Sequence, residues 1–266
     1  MNHSLGVYLR LLGAGIRSAM QYRLDFLVEI TGAIIQYSAQ IINLNVIVNR
    51  FQNINGWGLH ELAFLYALAV VSNGLSQMIF LAFVDLGETL VKGDFDRYLL
   101  RPVNSFLLYM GSQVNAGNFG HIIFATVVFI WAAAGAHVSW TLIHILYLVL
   151  VVIGGALIQG SAIVFVGTLA FWFQRTGTMF WTVVVPSREL VNYPVSIFPR
   201  ILQIALTFLV PFAFINYYPA HVFLERSGVL FSPVFAWLTP AVGVLTFSGA
   251  YTVWVMGTRN YSGAGS

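Results

Sequence analysis

Residues 102–174 read PVNSFLLYMGSQVNAGNFGHIIFATVVFIWAAAGAHVSWTLIHILYLVLVVIGGALIQGSAIVFVGTLAFWFQ and contain no Asp, Glu, Lys or Arg. A soluble domain exposes part of any stretch this long to water and normally carries charge there. A bilayer accommodates such a stretch, because one helix of about 20 apolar residues crosses about 30 Å of hydrocarbon. There is room for two crossings, with a tight turn around Gly135, Ala136 and His137. The sequence therefore predicts a membrane protein with several spans.

The composition of the whole chain agrees with this prediction. Charged residues make up 8% of the 266 residues, compared with about 25% in average soluble proteins, and the mean hydropathy is +0.82. The surplus of 12 basic over 9 acidic residues is small, which indicates membrane topology and does not favour nucleic-acid binding. The absence of cysteine excludes disulfides, thiolate metal sites and cysteine nucleophiles. We expect one all-α membrane domain over residues 1–266.

Hydropathy predicts six transmembrane helices, with approximate bounds 26–48, 62–84, 106–134, 140–173, 177–197 and 231–256. Before them, residues 5–21 place apolar side chains on one helical face, a pattern typical of an interfacial amphipathic helix within residues 1–23. The alternative for that segment is a polar lead-in to the first span. Six crossings put both termini on one side, and the positive-inside rule makes that side the cytoplasm. The basic residues expected there are Arg10, Arg17, Arg23, Lys92, Arg97, Arg101, Arg175 and Arg259, against Arg50, Arg188, Arg200 and Arg226 outside.

Prolines divide the region before the last span. A helix interior rejects proline, which removes a hydrogen bond and clashes with the preceding turn. We predict a fifth span over 177–197, followed by a re-entrant helical pair over 198–224 that forms a gate. The gate residues are Pro194, Pro199, Pro211, Asn216, Tyr217 and Pro219. The alternative places 177–199 in the interface and makes 201–224 the fifth span. Arg188 and Glu189 would line the translocation pathway in the first arrangement and would be solvated interfacial charges in the second.

The segment 85–105, DLGETLVKGDFDRYLLRPVNS, holds a third of all charged residues in the chain. Asp94 and Asp96 are expected to cap a short helix that runs through Tyr98 and Leu100 and ends before Pro102. Phe95, Tyr98 and Leu99 are expected to form an exposed apolar edge between charged ends. Aromatic residues flanked by both charge signs favour docking into the groove of a partner protein. The alternative is an ordinary charged loop between two spans.

Three segments carry a resemblance to a known family. Residues 93–102, GDFDRYLLRP, resemble the signature loop of bacterial ABC exporter permeases of the type-2 class. The similarity is to a branch in which two different permeases are encoded beside an ATPase. Residues 193–199 and 211–220 resemble the re-entrant region of that family, and residues 254–257 with 261–266 resemble its C-terminus.

The resemblance implies a six-span permease subunit of an ATP-driven exporter in a bacterial cytoplasmic (inner) membrane. Its partners would be two copies of an ABC ATPase, which bind ATP and Mg, and a second six-span permease that is a diverged sibling. The ATPase-coupling residues would be Asp94, Phe95, Asp96, Arg97, Tyr98, Leu99, Leu100, Arg101 and Pro102. The chain itself is expected to bind no cofactor, because its single lysine, Lys92, is followed by Gly93, which excludes a Gly-Lys-Ser/Thr phosphate loop.

The sequence gives little support for a metal site, an enzymatic activity or transport without an ATPase. Histidines and acidic residues form no recognisable metal-binding or catalytic motif, so we predict no metal site, no catalytic residues and no enzymatic activity. A secondary transporter or channel that works without an ATPase is the alternative function. That class favours several ionisable residues at mid-membrane, which five of the six predicted spans lack. The sequence does not identify the substrate.

Overall fold

The computed structural model describes residues 6, 13, 23–112, 118–173 and 176–261, and its regular structure is helical. The interfacial helix predicted over residues 5–21 lies outside the described residues. The long helices are α1 (Arg23–Phe51), α2 (Leu59–Phe80), and, later in the chain, α6 (Asn118–Gly135), α7 (Leu142–Thr168) and α12 (Thr239–Asn260). The short helices are α3 (Leu86–Val91), α4 (Asp96–Leu99), α5 (Ser105–Met110), α8 (Thr176–Met179), α9 (Val185–Glu189), α10 (Arg200–Ile204) and α11 (Tyr217–Phe223).

Among the described residues, three helical stretches are long and apolar enough to cross a membrane: Leu59–Val91, Leu142–Phe171 and Thr239–Asn260. A bent pair, Arg200–Leu209 with Phe212–Phe223, raises the number to four if the pair counts as one span. The predicted span 106–134 instead comprises α5 and α6, and residues 113–117 between them are not described. The turn predicted after this span is confirmed, because α6 ends at Gly135 and His137 adopts a left-handed φ of 54°.

A local change of helix type precedes two of the prolines. A π-helical segment, Phe180–Val184, comes just before Pro186, and a second, Ala205–Leu209, comes just before Pro211. The wider π turn lets the Val185 N–H donate to the Phe180 carbonyl, so the helix continues past Pro186. Pro211 instead coincides with the 79° bend of the helical pair. The interruption predicted at Pro211 is therefore confirmed, whereas the helix continues through Pro186, which lies inside the predicted segment 177–197.

The segment from Thr176 to Asn192 lies alongside α2. A Cβ on Gly177 would lie 3.4 Å from the Val84 carbonyl oxygen. Arg188 donates a hydrogen bond of 2.5 Å to Asn73 on α2. Near the far end of the segment, Asn216 links the carbonyl oxygens of Val191 and Leu65. The segment therefore follows α2 from one end nearly to the other.

Small residues let the long helices approach closely. A Cβ built on Gly243 of α12 would lie 2.6 Å from the Gly154 carbonyl oxygen of α7, so only glycine fits this crossing. Gly160 meets the ring of Phe80, and a Cβ there would lie 2.3 Å from that ring. Ala156 and Gly160 lie one helical turn apart, and both belong to a tightly packed helix surface, as is common for helices in a bilayer.

Candidate functional site

The segment 85–105, called here the charged segment, connects α2 to α5 through two short helices. The chain turns at Gly93, whose φ of 74° favours glycine. Helix α4 follows from Asp96 to Leu99, and Phe95 occupies its N-cap position. The predicted short helix is confirmed, but Asp94 and Asp96 do not cap it through their side chains. Asn104 caps the next helix, since its side chain accepts a hydrogen bond from the Leu107 amide.

The prediction that Phe95 and Tyr98 form an exposed edge is wrong. Phe95 has no exposed surface and Tyr98 is 7% exposed. The ring of Phe95 enters a socket of aromatic rings at centroid distances of 5.3–6.1 Å. The socket, called here the aromatic socket, consists of Tyr98, Tyr109, Phe171, Trp254 and Tyr261. These rings come from four separate parts of the chain. Packing the Phe95 ring among them is more favourable than exposing it to water.

The outward surface of the charged segment carries two leucines and charges of both signs. Leu100 is 84% exposed and Leu99 is 44% exposed, as the sequence predicts for Leu99. Asp94, Arg97, Arg101 and Pro102 are also exposed, and Asp96 is partly exposed. Tyr98 is buried, but its hydroxyl oxygen accepts a hydrogen bond of 3.1 Å from the Arg97 guanidinium. This surface offers an apolar centre with a charged rim.

Charges near the start of the charged segment are locally paired. Lys92 donates a hydrogen bond of 2.5 Å to Glu88 one turn earlier.

A polar cavity of about 290 Å³ lies among the long helices and the segment 180–192. We call it the polar cavity. It is lined by Gln36, Tyr37, Gln40, Tyr66, Ala69, Val70, Asn73, Gln77, His121, Gln159, Phe180, Trp181, Val185, Arg188, Glu189, Val191 and Asn192. Asn73 lies about 21 Å along α2 from Leu59 and about 10 Å from Phe80, at 1.5 Å per residue. The cavity therefore lies within the helical bundle and not at its ends.

Arg188 and Glu189 both reach this cavity, but in different ways. The Arg188 guanidinium donates to the Asn73 side chain at 2.5 Å and lies 5.6 Å from the centre of the Phe180 ring. Glu189 is exposed and accepts a hydrogen bond of 2.5 Å from Asn192. Arg188 is therefore held inside the bundle, beside α2, while Glu189 lies at the edge of the cavity.

Sequence reasoning missed the neutral polar residues of this cavity. The Tyr37 hydroxyl and the His121 ring are 2.5 Å apart, and Gln159 donates to the Ala69 carbonyl at 3.3 Å. The sequence does indicate these residues, because glutamines and asparagines are uncommon inside apolar spans. Charged residues alone indicate only Arg188 and Glu189.

The bent pair begins and ends near the same end of α2. Before its first limb, the Ser196 carbonyl accepts a hydrogen bond of 3.5 Å from Asn55 in the loop that precedes α2. At the end of its second limb, the His221 ring lies 5.5 Å from the Trp57 ring in that same loop. The bend at Pro211 lines an apolar cavity of about 600 Å³ with residues from the middle of α7 and α12.

The predicted gate residues have separate positions along this pair. Pro194 and Pro199 precede short helical turns, Pro211 marks the bend, and Pro219 lies in the first turn of α11. The buried Asn216 side chain donates to the carbonyl oxygens of Leu65 and Val191 at 3.1 and 2.6 Å. Tyr217 packs against Trp57, with 6.0 Å between ring centres. Asn216 thus joins the bent pair to two neighbouring helical segments.

Comparison with known proteins gives one match. The model of a family described as ABC-2 family transporter protein matches residues 34–265, which is most of the chain. No curated protein and no solved structure matches the chain.

Proposed function

Because the chain belongs to the ABC-2 family of transporter proteins and is a multi-pass membrane component of an ABC transporter, we propose that it is the permease subunit of an ATP-driven exporter. Partner ATPases supply the driving force, since the chain lacks a phosphate-binding loop. We propose two ATPase copies, which hold ATP and Mg, and a second, diverged six-span permease. Family membership removes the support for a secondary transporter that works alone.

The observation that carries this proposal is the construction of the charged segment. Leu99 and Leu100 project outward, whereas Phe95, one turn away, is fixed in the aromatic socket. Trp254 of α12 is part of that socket, and its ring also contacts Phe83 just after α2. A movement of the ATPase against the two leucines is therefore transmitted to two long helices through rigid aromatic contacts.

We further propose six spans with both termini in the cytoplasm of a bacterial inner membrane. The contacts of residues 176–192 along nearly the whole of α2 support a fifth crossing by this segment. The bent pair, whose two ends meet the Asn55–Trp57 loop, then enters and leaves on the outer side as a re-entrant gate. Non-helical backbone at membrane depth has to be covered by protein, and residues of α7 and α12 line the cavity beside the Pro211 bend on one side.

Co-purification tests the proposed partnership. The tagged chain, extracted from its native membrane, is expected to recover an ATPase identified by its phosphate-binding loop. Replacing Leu99 and Leu100 with alanine is expected to weaken this association at least about 100-fold, since burial of each leucine is worth about 1.5–3 kcal/mol. Recovery of the ATPase is measured against the amount of permease.

The matched control replaces Leu142 and Leu146 with alanine, because these leucines are 73% and 59% exposed near the start of α7. This control is expected to recover as much ATPase as the native chain. Equal recovery from the Leu99 and Leu100 variant would refute the docking surface. Failure of the native chain to recover any ATPase would refute the partnership itself.

A further inference from the structure

The polar cavity contains one positive charge, that of Arg188, and its lining holds one carboxylate, that of the exposed Glu189. Within the described part of the chain, the Arg188 guanidinium forms no ion pair with a carboxylate, and its hydrogen-bond partner is the neutral Asn73 side chain. The neighbouring Glu189 is exposed and engages Asn192. A guanidinium has five N–H donors, so most of its capacity remains for another acceptor. Burying such a charge is costly unless an anion accompanies it.

Neutral donors surround the same space. Gln40 and Gln77 line the cavity and are partly buried, and neither forms a side-chain hydrogen bond with the residues that the structure describes. Amide groups of this kind solvate an oxyanion by donating hydrogen bonds, and they add no charge of their own. The combination of one guanidinium and several amides is suited to a phosphate, sulfate or carboxylate group.

Part of the edge of the cavity is apolar. Trp181, which is 62% exposed, and the partly buried Val185 belong to this part of the lining. In a bilayer this edge would meet hydrocarbon, so a ligand that reaches Arg188 through it needs an apolar portion. The volume of about 290 Å³ accommodates a compact head group and leaves the rest of such a molecule outside.

We propose that the polar cavity binds the anionic head group of an amphiphilic molecule, with Arg188 as its charged contact. This inference rests on the proposed transport function, for which it specifies the class of substrate. The apolar portion of the amphiphile lies along Trp181 and Val185, and the amides of Gln40 and Gln77 contact the head group.

Equilibrium binding of radiolabelled dodecyl phosphate tests the proposal. The full-length chain is placed in nanodiscs of phosphatidylcholine, and binding to empty nanodiscs is subtracted. Saturable binding is expected, with displacement by unlabelled dodecyl phosphate. Dodecyl maltoside and dodecyltrimethylammonium share the alkyl chain but lack the anionic group, and each is expected to compete at least about tenfold more weakly. Equal competition by the cationic amphiphile would overturn the proposal.

Variants then locate the binding. Arg188→Gln is expected to weaken dodecyl phosphate binding about 10- to 100-fold, because it removes a charge-assisted hydrogen bond. Arg188→Lys keeps the charge and is expected to retain part of the affinity. Arg50→Gln makes the same change at an exposed position near the end of α1 and is expected to bind like the native chain. Native affinity in Arg188→Gln would overturn the proposal.

A second variant covers the case in which Arg188→Gln does not fold. Gln40→Glu keeps the guanidinium and places a negative charge in the same cavity, so it is expected to weaken binding at least about tenfold. Native affinity in Gln40→Glu would overturn the proposal. ATPase recovery from the same preparations separates the two hypotheses: normal recovery without anion-selective binding defeats this inference alone, and selective binding without an ATPase defeats the proposed function alone.

Discussion

Truncation of Phe95 is expected to destabilise the membrane domain more than any change on the outer surface of the charged segment. Phe95 is fully buried and contacts five aromatic rings. Burial of a phenylalanine side chain contributes about 1.5–3 kcal/mol. The cavity left by Phe95→Ala adds to this loss, so the expected decrease in the free energy of unfolding is about 3–5 kcal/mol.

Unfolding in mixed micelles, with the fraction of SDS increased stepwise and helicity followed by circular dichroism, measures this decrease. Leu100→Ala is the control within the same segment, because Leu100 is 84% exposed. Its free energy of unfolding is expected to stay within about 0.5 kcal/mol of the native value. A Phe95→Ala protein as stable as the Leu100→Ala protein would refute the aromatic socket as a structural anchor.

Two further predictions concern helix packing and topology. Gly243→Ala is expected to destabilise the chain by about 1–3 kcal/mol in the same unfolding measurement, since its Cβ would meet the Gly154 backbone. Gly249→Ala on the same helix, where a Cβ meets nothing within 4 Å, is expected to be neutral or slightly stabilising; equal losses at both positions would contradict the close crossing. Because the chain has no cysteine, Asn53→Cys and Asn192→Cys provide single reactive sites. Both are expected to react with an impermeant maleimide in intact cells, and labelling of Asn192→Cys from the cytoplasm alone would contradict the proposed fifth span and re-entrant gate.

Much of the helical architecture could be predicted from local sequence. The turn after α6 and the bend at Pro211 follow from glycine and proline, whose backbone preferences act within a few residues. Pro186 shows the limit of this reasoning. A single π turn before it preserves the helix, and Arg188, which follows it, is hydrogen-bonded to Asn73 of α2.

The candidate sites were predictable only in part. The charged segment stands out because its charges interrupt a hydrophobic chain, and Arg188 stands out for the same reason. The neutral lining of the polar cavity does not, since Gln40, Asn73 and Gln159 lie on three different helices and become one site only when those helices pack.

The sequence by itself determined that the chain enters a membrane, where its helices are interrupted, and which segment carries concentrated charge. These properties depend on the hydropathy and backbone preferences of neighbouring residues. Tertiary structure decided which side chains of that segment face outward. Phe95 and Leu100 are both apolar and five positions apart, yet the first is buried against Tyr261 and the second is exposed. Burial depends on rings brought together from distant parts of the chain, and no local pattern contains that information.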